Sequence, residues 1–196
     1  MKSRVKNRQN QLRIIAGEWR GRKLDFPSVD GLRPTPDRVR ETLFNWLQAY
    51  LPGARCLDLF AGSGVLGFEA LSRGAGFVSF IERERAAFQS LRDNVDKLQT
   101  AERVQLVHDD ALHYLDGGCG SRFDIIFLDP PYGQGLVEQC LHRLEQQHCL
   151  REGGLVYMEH EVALETVELN ENWSVLKNKK AGQVNYYLLR FNKTDN

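Results

Sequence analysis

Phe123-Asp124-Ile125-Ile126-Phe127-Leu128-Asp129-Pro130-Pro131-Tyr132 is the stretch that sets the fold. Its first six residues form a short apolar run, which reads as a buried parallel strand. Two prolines cannot continue a ladder, so the backbone leaves the sheet stiffly at this point. A carboxylate, rigid carbonyls and an aromatic ring therefore gather at the carboxyl end of a strand, where open α/β sheets bind ligands. A Pro-Pro turn alone would mean only a strand stop with Tyr132 packed on the core. The flanking sequence gives it more.

On both sides of this stretch, strand-like and helix-like segments alternate. Arg55 to Phe60 reads as a strand, Gly64 to Arg73 as a helix, Gly76 to Ile81 as a strand and Glu84 to Leu98 as a helix. Val104 to Val107 is a third strand, followed by a short helix from Ala111 to Leu115. After the fourth strand, Phe123 to Leu128, come a helix from Leu136 to Gln147 and a strand from Leu155 to Glu159. This spacing predicts right-handed βαβ units and a parallel sheet covered on both faces. Trp173 to Lys177 and Val184 to Phe191, joined through Ala181-Gly182, read instead as a terminal antiparallel hairpin.

The first strand-to-helix turn carries Leu57-Asp58-Leu59-Phe60-Ala61-Gly62-Ser63-Gly64-Val65-Leu66-Gly67. Gly62, Gly64 and Gly67 fit the GxGxxG spacing, which permits a tight turn and close approach of a ligand to a helix start. Glu82, at the end of the next strand, is placed to accept both hydroxyls of a ribose. A nicotinamide oxidoreductase would show that pair too, but it leaves Asp129 to Tyr132 without a role. Asp58 favours another cofactor, because a carboxylate in the first strand suits a cationic ligand such as a methionyl amino group. The third strand ends at His108-Asp109-Asp110-Ala111, where a carboxylate can accept from an adenine amino group. Four successive strand ends thus carry Asp or Glu: Asp58, Glu82, Asp110 and Asp129.

Towards the amino terminus the chain is basic. Residues 1–40 hold 11 Lys/Arg and 4 Asp/Glu, a net charge of +7, and the remainder carries −7. A basic end on an acidic body suggests a polyanion met by one face. Leu12 to Ala16 and Arg22 to Phe26 read as the strands of a hairpin whose loop, Gly17-Glu18-Trp19-Arg20-Gly21, displays an indole among guanidinium groups. The ring and the guanidinium groups can stack on bases and bind phosphates, or the Trp can close a small core and leave the arginines in solvent; the basic flanks tip the reading towards a nucleic-acid contact through Trp19, Arg20, Arg22 and Lys23. Residues 1–32 are then a tail and hairpin, and 33–196 the α/β domain that carries the glycine turn and the Asp-Pro-Pro-Tyr stretch. Within Arg33-Pro34-Thr35-Pro36, Thr35 is the expected N-cap of a helix from Asp37 to Tyr50, with Pro36 at its first position.

Cys56, Cys119, Cys140 and Cys149 form no CxxC pair and read as reduced, mostly buried thiols. Neither they nor the 5 histidines have metal-ligand spacing, so no metal is expected. No apolar stretch approaches the ~20 residues that span a bilayer, and no signal peptide is apparent. A cytoplasmic monomer is expected.

Together these segments resemble the class I S-adenosylmethionine-dependent methyltransferases. More closely, Arg13 to Gly17, Trp19 to Arg22, Arg33 to Glu41, Leu57 to Gly67 and Asp129 to Tyr132 resemble the bacterial ribosomal RNA small-subunit methyltransferase D family. That family methylates the exocyclic N2 of a guanine in 16S rRNA. The resemblance runs from about residue 12 to the end. It implies a seven-stranded sheet of order 3-2-1-4-5-7-6 and, as partner, 16S rRNA within a small-subunit particle that contains ribosomal proteins. It also implies cofactor contacts. Asp58 and the Gly62–Gly64 turn, with Phe60 and Ala61, would hold the methionyl part. Glu82 and Arg83 would hold the ribose, and Asp110 and Ala111 the adenine, with Asp109 as the competing choice. Thr35 and Arg38 would close over the cofactor, and Asp129, Pro130, Pro131 and Tyr132 would carry catalysis beside it. The same Asp-Pro-Pro-Tyr set occurs in adenine-N6 methyltransferases, which remain the runner-up. A non-catalytic RNA-binding assembly factor is the more distant alternative.

Overall fold

The computed structural model describes residues 10–27, 35–160, 169–182 and 184–192. The basic positions Lys2, Arg4, Lys6 and Arg8 and the Arg33-Pro34 pair lie outside them. The first two strands, β1 (Asn10–Arg13) and β2 (Lys23–Phe26), form an antiparallel hairpin. After it come α1 (Asp37–Leu47), β3 (Arg55–Asp58), α2 (Val65–Ser72), β4 (Phe77–Ile81), α3 (Arg85–Leu98) and β5 (Val104–Val107). The chain continues through α4 (Ala111–Asp116), β6 (Phe123–Leu128), α5 (Leu136–Gln146), β7 (Leu150–His160), β8 (Trp173–Ala181) and β9 (Val184–Phe191).

The seven strands β3 to β9 form one sheet in the order β5-β4-β3-β6-β7-β9-β8. Counted from β3, this is the expected order 3-2-1-4-5-7-6. Strands β3 to β7 are parallel, and β9 runs antiparallel to both of its neighbours. The strand order reverses at β3, between β4 and β6, so a crevice opens at the carboxyl ends there. One apolar layer, with Phe44, Phe68, Phe80 and Leu91, lies on the face covered by α1, α2 and α3. The other, with Leu115, Leu141, Leu144 and Met158, lies under α4 and α5. The hairpin shares the first layer through Ile14 and Leu24, both fully buried.

Helix α2 leaves the glycine turn and is buried along all eight residues, Glu69 included. Gly64 caps it in the left-handed region at φ 73°, and a Cβ there would lie 2.4 Å from Leu91. Glu69 accepts the backbone N–H of Ile15 (2.7 Å) and Ala16 (3.0 Å), and Nε of Arg73 (2.7 Å). Arg40, buried beside it with Nη1 3.5 Å from its carboxylate, donates to the carbonyls of Thr35 and Arg13 and to Asp37. This ionic knot ties the hairpin, α1 and α2 together.

Three expectations need correction. Thr35 does not cap α1. Its hydroxyl donates instead to Glu159 Oε1 at 3.3 Å, and the preceding position of α1 is Pro36, with no side-chain cap. The helix also ends at Leu47, not Tyr50, where Tyr50 and Leu51 both turn back onto the Leu47 carbonyl. Finally, Cys119 and Cys149 are joined in a disulfide, with Cα atoms 5.5 Å apart, while Cys56 and Cys140 are free and buried. The bonded pair lies 30 residues apart, brought together where the loop after α4 meets the start of β7, so no local spacing could signal it. No helix among the described residues is long and apolar enough to cross a membrane.

Candidate active site

Each parallel strand delivers a carboxylate to the same rim of the sheet. Asp58 ends β3, Glu82 follows β4, Asp110 precedes α4, Asp129 follows β6, and Glu159 stands one residue before the end of β7. All five line one cavity of about 870 Å³. Of the residues expected to act there, Thr35, Phe60, Ala61, Gly62, Arg83, Ala111, Pro130, Pro131 and Tyr132 line it as well. Gly64, which caps α2, does not.

The half under β3, β4 and β5 is organised by backbone N–H groups. Asp58 is 4% exposed and accepts from Gly67 N at 3.2 Å. Burial pushes its carboxyl up to about 7, against the Gly67 N–H, and the charge of Glu82 adds to the rise. Glu82 accepts from Gly62 N and Glu84 N, both at 2.6 Å, yet burial still raises it above the usual carboxylate range. Asp110 caps α4, with Oδ1 2.9 Å from Leu112 N, and its other oxygen lies 3.7 Å from Arg83 Nη1. Asp109 also lines the cavity, but both its oxygens lie 2.8 Å from Nδ1 of His113. The carboxylate of Asp109 is thus already engaged.

The half under β6 and β7 is built differently. The carboxyl of Asp129 is held well above its ordinary value by burial and by the charges of Glu159 and Asp58. Tyr132 is 47% exposed at the mouth. Glu159 was missed at the sequence level. It accepts hydroxyls from Tyr157 (2.8 Å) and Thr35 (3.3 Å), and Tyr132 also bonds to it. Burial raises it too, against those three donors. The signal was present, since β7 carries an acid at its carboxyl end just as the other four parallel strands do. None of Asp58, Glu82, Asp129 and Glu159 forms an ion pair among the described residues. Unpaired buried carboxylates crowded together are costly, and a cationic ligand relieves that cost. The residues present therefore fit S-adenosylmethionine, which carries both a sulfonium and an ammonium.

Other expected residues lie apart. Arg38 is exposed on α1 and does not line the cavity. Trp19 is not displayed. It is 5% exposed, its backbone N–H donates to Ser72 Oγ at 2.9 Å, and the Arg103 guanidinium covers its ring at 5.6 Å. Ser72 ends α2 and Arg103 immediately precedes β5, so this loop sits at the amino-end rim of the sheet. Arg20, Arg22 and Lys23 are exposed there. The length of α2, about 12 Å at 1.5 Å per residue, separates them from the crevice.

A sheet of this order, with a glycine turn and a row of acids along its carboxyl rim, is the frame of the class I S-adenosylmethionine-dependent methyltransferases, and the chain is of that class. The sequence model of the family described as "Conserved hypothetical protein 95" matches residues 12–190. Ribosomal RNA small subunit methyltransferase D of Escherichia coli K12 is 47% identical over 178 residues, covering 91% of this chain and 89% of that protein. Its namesake in Haemophilus influenzae is 43% identical over 189 residues, covering 95% and 97%. The solved structure of yhhF from Escherichia coli superposes with a TM-score of 0.85 at 45% identity, covering 94% of this chain and all of that one. The chain belongs to the ribosomal RNA small subunit methyltransferase D family.

Proposed function

We propose that the protein transfers a methyl group from S-adenosylmethionine to the N2 amino group of a guanine in 16S rRNA of the small ribosomal subunit. The observation that carries this is the sharing of one cavity by Asp58, Glu82 and Asp110 with Asp129-Pro130-Pro131-Tyr132. The names of the relatives support the RNA. Bound S-adenosylmethionine supplies an electrophilic methyl on a good leaving group; this chain's residues supply position. A guanine N2 lone pair is delocalised into the ring. The Asp129 carboxylate and the Pro130 carbonyl accept its two N–H bonds, localise the lone pair and aim it. Tyr132, steadied by Glu159, stacks on the flipped base. Alignment of this kind supplies up to ~7–11 kcal/mol in favourable systems. Asp129 takes the departing proton once the new bond has formed. Arg38, outside the lining, is left as a contact for RNA near the mouth.

The test incubates the protein and labelled S-adenosylmethionine with small subunits from cells that lack it, then identifies the nucleoside. N2-methylguanine is the expected product. N6-methyladenine, or no product, overturns the proposal.

The raised carboxyl of Asp58 gives a pH prediction. Its proton is held to about pH 7 in the free protein, and a ligand ammonium favours the charged form and expels that proton. Binding of S-adenosylhomocysteine should therefore tighten as pH rises from 6 to 8, up to ~10-fold per unit below the raised value, with proton release seen in buffers of different ionisation enthalpy. 5′-Methylthioadenosine, which lacks the amino acid moiety, should show a much flatter profile. Equal profiles for the two ligands would remove Asp58 from that role.

A further inference from the structure

We propose that the β8–β9 hairpin is a phosphate-contact surface that guides an RNA strand to the mouth of the crevice; this rests on the RNA substrate proposed above. Register places it there. Tyr186 of β9 pairs with Glu159 on one side and Lys179 on the other, and Asn185 pairs with His160 and Lys180 in the same way. Lys179 and Lys180 therefore stand level with the strand-end acid of β7, two strands away, about 10 Å at ~4.8 Å per strand. The turn beyond them is part of the cavity wall, since Ala181, Val184 and Tyr186 all line it.

Chemistry agrees with position. Val184, Tyr186 and Leu188 belong to one apolar layer, hence to one face of β9. Lys179 is opposite Tyr186 and Lys177 opposite Leu188, so both lysines share that face. Arg38 of α1 is close enough to Tyr186 for its charge to oppose the rise that burial imposes on the phenol. The basic groups thus continue from the edge strand across the mouth. Between Trp173 and Phe191 the sequence contains no Asp or Glu. Lys177, Lys179 and Lys180 are exposed, and none is ion-paired among the described residues.

Lysines also protect edge strands from pairing with other chains, and β8 is an edge. That role alone gives no reason for them to gather towards one end of the strand. Here the three run from the midpoint of the strand to its crevice end, while the other half leaves Val175 44% exposed. Phosphate contacts supply most of the salt-dependent affinity for nucleic acid, and a surface at the mouth delivers a base to the site. The amino-terminal loop, on the opposite rim, does not.

Two triple variants decide the matter: Lys177→Gln/Lys179→Gln/Lys180→Gln, and Arg20→Gln/Arg22→Gln/Lys23→Gln. Binding of a 16S rRNA transcript is measured from 50 to 300 mM salt, with S-adenosylhomocysteine titration as the control for folding. The lysine variant should lose about 2 from the slope of log K against log salt, at ~0.7 per phosphate contact. Its KM for RNA should rise at least ~10-fold, while kcat at saturating RNA and cofactor affinity stay within ~2-fold. The amino-terminal variant should keep the wild-type slope. An unchanged slope in the lysine variant, or an equal loss in both, overturns the inference even where the wild type methylates RNA. A wild type that binds RNA but methylates none overturns the substrate proposal instead.

Discussion

Asp129→Asn should lower kcat for methyl transfer by about 10²-fold and Asp129→Ala by about 10³-fold, in the range seen when one preorganised electrostatic contact to a reacting group is removed. Asn keeps one acceptor oxygen but replaces the other with a donor, which faces an amine that must itself donate. Ala removes both acceptors. Neither change should weaken S-adenosylhomocysteine binding more than a few-fold. Both should leave the free protein as stable as the wild type or more so. The sign follows from linkage. A carboxyl whose value is raised in the folded state contributes stability at low pH and loses it as pH climbs through the raised value. Asp129 is raised by burial and by repulsion from Glu159 and Asp58. At neutral pH its removal therefore relieves the fold, and the melting temperature should hold or rise while turnover collapses. Near-wild-type turnover in Asp129→Ala would refute the role. Loss of turnover in step with loss of cofactor affinity would make Asp129 a cofactor ligand only.

The largest expected effect on stability lies far from the chemistry. Glu69→Ala should cost about 3–5 kcal/mol, the usual range when one partner of a buried ion pair is removed. The side chains of Glu69 and Arg40 are both 0% exposed. Without Glu69 the Arg40 guanidinium keeps Asp37, itself 44% exposed, and the N–H groups of Ile15 and Ala16 lose their acceptor. At roughly 2–4 °C per kcal/mol for a domain of this size, the melting temperature should fall by about 10 °C. Glu69→Gln, which still accepts hydrogen bonds, should cost less. A fall below about 2 °C in Glu69→Ala would show that the knot adds nothing net.

What the sequence made legible follows from the range of the interactions involved. Strands, helices and the glycine turn are local patterns, and strand ends fall where they do because the chain must leave the sheet. Asp58, Glu82, Asp110 and Asp129 were found by that rule, and Glu159 obeys it equally but lacked a neighbouring motif. Trp19 stayed ambiguous, because a tryptophan between Glu18 and Arg20 on a loop reads equally as a displayed ring and as the lid of a small core, and it is the lid. The pocket that buries it comes from Ser72, 53 positions away, and from Arg103. Glu69 was hidden for a similar reason. A single acid in Val65-Leu66-Gly67-Phe68-Glu69-Ala70-Leu71-Ser72 must be buried if the helix is buried all round, but its partners Arg40, Ile15 and Ala16 come from elsewhere in the chain. The cysteine pair shows the same limit.

The place of β9 also bears on how the polypeptide is made. The strand wedges between β7 and β8, so β7 keeps a bare edge until translation has passed Phe191. Residues Leu155 to Met158 of that edge, mostly apolar, are buried in the finished sheet. A nascent chain paused before that point exposes a sticky ribbon of four such residues, the kind of segment that chaperones hold and that aggregates otherwise. Closure of that edge therefore waits on the synthesis and pairing of β9.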